Sequence, residues 1–148
     1  MFTKATYYAT LVISALTGLW HFFVPTMFRW YDYLPMQYGN LIVGIDWTNY
    51  CFSAFLLGVS CLCLFWGRRA LAGNREAMQL YLLLTAVWVF RACLALFIEP
   101  WPLDPVPWAA VLQLVASTLL AALMVVVSVR FARVLRPACS VYGRDARA

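Results

Sequence analysis

The sequence predicts an all-α integral membrane protein: a four-helix antiparallel bundle with both termini in the cytoplasm. Three observations carry that reading. First, the 148 residues are 65% apolar and 11% charged, whereas a soluble domain is nearer half apolar and a quarter charged. A domain this small exposes too much surface to hide such a surplus in one core. Second, the apolar residues fall into four runs of about 20 residues, each long enough for a helix to cross ~30 Å of hydrocarbon. Third, the basic residues divide nine to one. Lys4, Arg68, Arg69, Arg75, Arg130, Arg133, Arg136, Arg144 and Arg147 would face one side, Arg29 alone the other, and Arg91 lies inside a run. Lys and Arg stay on the cytoplasmic side, which sets the orientation. A spanning segment must be a helix or part of a closed barrel, and the runs show no barrel-type alternation.

The elements follow in order, within a single domain over residues 1–136. The first span covers about 5–24. Lys4 before it resembles the start of a signal peptide, but the run is too long and aromatic, and no small-residue cleavage site follows. Pro25 helps to end it. Residues 25–46 carry Phe28, Trp30, Tyr31, Tyr33 and Tyr38 and read as an aromatic outer interfacial segment, since such rings favour the headgroup layer. Leu41-Ile42-Val43 dips toward the bundle mouth. The second span, about 47–66, is stopped by Gly67-Arg68-Arg69, and Gly73-Asn74-Arg75-Glu76 completes a cytoplasmic turn. The third, about 78–98, contains Arg91. The stretch from Glu99 to Pro107 holds four prolines and reads as a rigid outer turn. The fourth span, about 108–131, is anchored by Arg130, Arg133 and Arg136, and 137–148 is a cytoplasmic tail. Short connections favour an up-down-up-down order. Small residues four apart, at Ser14/Gly18, Ala54/Gly58 and Ser117/Ala121, let helices approach closely.

Arg91 is the leading candidate for function. A cation inside the membrane costs a few kcal/mol, so it faces a partner or a polar cavity. It lies seven residues before Ile98, roughly 10 Å below the outer boundary at helical rise. Snorkelling toward the interface is the structural alternative, and both roles stay open. Counted inward from the outer boundary of each span, His21, Asn49 and Gln113 fall near the same depth, with Asp46 and Glu99 at the rim. Trp88, three residues before Arg91, shares its helix face and can take the guanidinium by cation–π contact. The candidate ligand-binding set is therefore Arg91, His21, Asn49, Gln113, Trp88, Asp46 and Glu99. The inner half of the spans reads as almost purely apolar. His21 is the one histidine: a proton relay, or a structural hydrogen bond to Asp46, Asn49 or a tyrosine. Asp46, just before a span, is also placed as an N-cap.

Several chemistries are disfavoured. There is no CxxC and no zinc spacing, and Cys61 and Cys63 point about 200° apart on a helix. Cys51 and Cys93 fall at similar depth, which leaves a bridge open beside the ordinary role of buried cysteine as apolar filler. Cys139 lies in the tail, where thiols stay reduced. One histidine cannot supply bis-histidine haem ligation, a calcium site needs a denser oxygen cluster, and no hydrolase, zinc-protease or phosphate-loop motif occurs. No catalytic residue, metal or cofactor is predicted, and the chain reads as no enzyme. The net charge of +5 sits at segment ends rather than in one patch. It serves topology and contact with anionic membrane lipids, not nucleic acid.

Gly18-Leu19-Trp20-His21-Phe22-Phe23-Val24-Pro25, followed by Phe28-Arg29-Trp30, resembles small uncharacterised bacterial four-helix membrane proteins in which a Gly-x-x-His-Phe-x-x-Pro turn closes the first helix. Arg91 with the later Glu99-Pro100 is similar to the arginine and proline that close their third helix. More distantly, the layout resembles the DoxX-like group. The resemblance implies a fold and a place in the bacterial inner membrane, but no activity and no catalytic residue. The expected function is an outward-facing polar pocket for a lipid, a quinone-like molecule or a small anion. The alternatives are an accessory subunit packed on a membrane protein partner, and a small transporter protomer whose path forms in a homo-oligomer.

Overall fold

A computed structural model describes residues 2–35, 37–98 and 107–135. Among these residues the chain is helical, without a strand. Helix α1 runs Phe2–His21 and α2 Val24–Met27, followed by a 3-10 turn at Trp30–Asp32. Next come α3 at Gly39–Phe65, α4 at Gly67–Leu71 and α5 at Arg75–Cys93, which continues into a π turn at Leu94–Ile98. Helix α6 runs Pro107–Leu135. Three helices, over Gly39–Phe65, Arg75–Ile98 and Ala110–Leu135, are long and apolar enough to cross a membrane. This is a membrane protein by those three. Helix α1 has 20 residues but a more polar make-up, with Thr3, Lys4, Thr6, Tyr7, Tyr8, Thr10, Ser14, Thr17 and His21 along it.

Two element boundaries differ usefully from the sequence expectation. Helix α3 starts at Gly39 rather than Trp47, eight residues earlier, so the interfacial segment is correspondingly shorter. Leu41 and Ile42 donate their amides to the Tyr38 carbonyl, and the apolar Leu41-Ile42-Val43 run joins the helix instead of dipping separately. Asp46 consequently lies inside α3 and cannot be its N-cap. Helix α1 stops at His21, and Pro25 sits in the first turn of α2, where a missing amide hydrogen does no harm.

The chain forms two compact units, Met1–Thr10 with Trp66–Ala148, and Leu11–Phe65. In the first, Tyr7 stacks on Tyr81 at 4.7 Å between ring centroids, and Phe131 lies 5.9 Å from Tyr7 and 5.6 Å from Tyr81. Thr10 Oγ1 donates to the Tyr7 carbonyl at 2.9 Å, so the Tyr81 hydroxyl supplies the proton in its 3.0 Å bond to Thr10 Oγ1. By the same count Ser128 donates to Thr85 Oγ1 at 2.9 Å, because Thr85 donates to the Tyr81 carbonyl. These pairs set α5 and α6 antiparallel. They also correct the expectation of an almost purely apolar inner half. Hydroxyls that bond back to their own helix carbonyls are tolerated in an apolar core. Ser117 and Ala121 are buried here as expected of a packing pair. Asn74 caps α5, accepting from the Ala77 amide at 2.9 Å.

In the second unit, residues 11–21 of α1 run antiparallel to α3. Ser60 donates to the Leu56 carbonyl at 2.7 Å, so Ser14 donates to Ser60 at 2.7 Å. At Gly18 the backbones nearly touch: an added Cβ would lie 2.6 Å from the Leu57 nitrogen. Ser14/Gly18 is thus a packing pair, while Ala54 and Gly58 are exposed on α3.

Candidate functional site

The site in the second unit is built by the return of the chain after α1. Arg29 takes a left-handed conformation (φ 50°, ψ 45°), which costs a non-glycine residue roughly 1 kcal/mol. An exposed ion pair to Asp32 at 2.6 Å spans the turn. Tyr31 then donates to Asp46 Oδ1 on α3 at 2.8 Å. That bond to the carboxylate, with some burial and the Asp46 charge, pushes the Tyr31 phenol up to about 12. Tyr31 therefore stays a protonated donor, and the turn is tied to α3.

Trp30 and one face of α3 enclose an open groove of about 550 Å³. Leu41, Ile45 and Phe52 give it apolar walls, Gly44 leaves room in its floor, and Asn40, Thr48 and Asn49 supply polar edges. A Cβ at Gly44 would meet nothing within 4 Å. A second hollow over Gln37–Leu41, of about 700 Å³, shares Asn40 and Leu41 with the groove.

His21 is buried at the end of α1, edge-on to Trp20 at 5.4 Å and to Phe52 at 5.6 Å. Its Nδ1–H donates to the Thr17 carbonyl at 2.8 Å. Asn49 meets His21 through the main chain: its Nδ2 donates to the His21 carbonyl at 3.0 Å. That carbonyl is one of the four left over at a helix end, so Asn49 caps α1. Ser53 donates to the Asn49 carbonyl at 2.6 Å.

In the first unit, Arg91 is half-buried with its guanidinium 5.8 Å from the Trp88 ring. Trp88 is itself buried. The pairs Thr85–Ser128 and Tyr81–Phe131 set the α5–α6 register and place Arg91 opposite about Ala122. Gln113 lies nine residues further along, roughly 13 Å at helical rise, so Arg91 and Gln113 do not share a level.

Of the expected residues, then, His21 and Asn49 come together, Asp46 pairs with Tyr31, and Arg91 pairs with Trp88. Glu99 lies outside the described residues. The groove-forming Trp30, Gly44 and Phe52 were not in the expected set. The helical spacing of Leu41, Gly44, Ile45, Thr48 and Phe52 becomes visible only once α3 is started at Gly39, and Trp30 reaches the groove from the turn before it. No three His, Cys, Asp or Glu side chains gather in metal-binding geometry among the described residues, and Cys51, Cys61, Cys63 and Cys93 form no disulfide among them. Comparison with family models, curated proteins and solved structures returned no match.

Proposed function

We propose that the chain is a four-pass, DoxX-like protein of the bacterial inner membrane, with both termini cytoplasmic, that binds a small amphipathic molecule without transforming it. Helix α1 supplies the fourth span. Its exposed side chains include Val12, Ile13, Leu16 and Leu19, while Thr6, Thr10 and Ser14 are buried. A helix with its polar face inward and its apolar face outward is suited to lipid, which explains how a modestly apolar segment can serve.

The observation that carries the binding reading is the α3 groove. Aromatic and aliphatic walls with a few polar groups are the usual make-up of a small-molecule site. The apolar body of a lipid or quinone-like ligand would lie against Trp30, Leu41, Ile45 and Phe52, with its polar end at Asn40, Thr48 or Asn49. Arg91, held over Trp88 in the other unit, is assigned to anionic groups and is tested by its own substitution.

The test is native mass spectrometry of the full chain in lipid nanodiscs. Gly44→Leu projects a side chain into the groove at a position with open space above it. It should abolish retention of the bound molecule while leaving the melting temperature unchanged or higher. Undiminished retention would sink the groove reading. Arg91→Ala should lower retention of anionic molecules only.

A second reading, an accessory subunit, is favoured by a different face. Cys51, Ala54, Gly58 and Cys61 are exposed on α3, and small residues let a partner helix approach. Gly58→Leu would then release a co-isolated partner, whereas Gly44→Leu would not.

A further inference from the structure

One end of the first unit gathers charge of a single sign. The first turn of α1, α4 and the last turns of α6 meet there, as three contacts show. Tyr7 packs on Tyr81 and Phe131. Tyr8 lies over Gly67, where an added Cβ would sit 2.8 Å from its ring. Arg130 Nη1 donates to Thr3 Oγ1. Lys4 precedes Tyr8 by one turn and shares its face, so it points along the side of α1 that α4 covers. Thr3, beside Lys4, draws in Arg130 on a different face. The start of α1 therefore lies between the arginines of α4 and the end of α6.

The exposed side chains of this region are Lys4, Arg68, Arg69, Arg75, Arg130 and Arg133, against Glu76 as the one acidic residue among the described residues of the unit. In α4, Gly67 and Ala70 face inward while Arg68 and Arg69 face outward. The glycine is what lets the α4 backbone approach Tyr7 and Tyr8 of α1 this closely. Like charges held together repel, and an anion resolves the repulsion. Arginine forks match phosphate oxygens two at a time, and clustered basic side chains at the end of membrane helices are the expected setting for a phosphate headgroup.

We propose that this end is a binding site for the headgroup of an anionic phospholipid, whose phosphate is taken by Lys4, Arg68, Arg69 and Arg130. The proposal is independent of the α3 groove. Its test uses the full chain in nanodiscs of phosphatidylcholine containing a minority of phosphatidylglycerol, with retained lipids counted by native mass spectrometry. Phosphatidylglycerol should be retained in preference. Arg68→Gln should lower that preference about fivefold, and Arg68→Gln with Arg130→Gln about 25-fold. Arg68→Lys should keep most of it. Arg75→Gln, which removes the same charge from the first turn of α5, should change it less than twofold. Absence of any preference would overturn the proposal. So would an equal loss in Arg75→Gln and Arg68→Gln, which would mean a diffuse field rather than a site. Circular dichroism of each variant separates loss of lipid from loss of fold.

Discussion

Both units bury polar side chains between helices, yet they close them off differently. In the core around Tyr7 and Tyr81, Thr10 and Thr85 donate to helix carbonyls while accepting from Tyr81 and Ser128, and Tyr7, Thr10 and Tyr81 are wholly buried. Beside the α3 groove, Asp46 and Asn49 each have a partner but remain half-exposed along an open wall. The first arrangement has spent its hydrogen bonds on the fold. The second keeps polar capacity at a surface. In a membrane protein, a polar residue in a helix is thus a sign of function only when its hydrogen bonding is left partly available. The glycines divide in the same way, Gly18 and Gly67 under contact, Gly44 and Gly58 under open space.

The largest effect should come from Gly18→Ala. The new Cβ would lie 2.6 Å from the Leu57 nitrogen and 3.0 Å from its Cα. Neither is the end of a flexible side chain, so α1 and α3 must part. We expect a loss of about 3 kcal/mol, read from unfolding of the reconstituted protein. Gly44→Ala on α3 should instead gain up to about 1 kcal/mol, the ordinary benefit of alanine in a helix. Equal effects at the two positions would erase the distinction between a packed and an open glycine.

A smaller effect tests the hydroxyl core. Tyr81→Phe keeps the stacking on Tyr7 but removes the donor to Thr10, which still donates to the Tyr7 carbonyl. The expected loss is about 1 kcal/mol, and nearer ~0.6 if the average for bonds between membrane helices applies. Thr85→Val and Ser128→Ala should be non-additive, since each leaves the other without its shared bond. Independent losses in that cycle would show that the two side chains do not act as a pair.

How much of this is legible in the sequence depends on whether a feature is local. Three spans announce themselves by length and apolarity, and Arg91–Trp88 follows from spacing on one helix. Helix α1 is harder, because its low hydropathy makes sense only when Thr6, Thr10 and Ser14 are seen facing inward. Counting from Trp108 puts Gln113 at the depth of Arg91, but the register of α5 against α6 belongs to side-chain pairs that no single helix reveals. The groove was least legible. It needs Trp30 turned back through a left-handed Arg29, and an arginine gives no advance sign of positive φ. Asp46 likewise reads as the cap of a helix start, which hides the helix already running through it.

The smallest expected effect bears on what holds that groove. Ionising Tyr31 would break its bond to Asp46 and set two negative charges side by side, which is why the phenol is pushed up to about 12. A proton held more tightly in the folded chain stabilises it fully below the unfolded value of ~10, and that contribution disappears as pH rises through the folded value. At neutral pH the tie between the Trp30–Asp32 turn and α3 is therefore intact. Asp46→Asn removes the charge and weakens the bond, so Tyr31 should titrate closer to an ordinary tyrosine. Phenolate absorbance, with Tyr31→Phe as the reference, measures this directly. Melting near pH 7 should hardly change, because the pair is only partly buried. If the Tyr31 titration instead stays where it was in Asp46→Asn, something other than Asp46 holds the turn, and Trp30 would form a wall of the groove without this anchor.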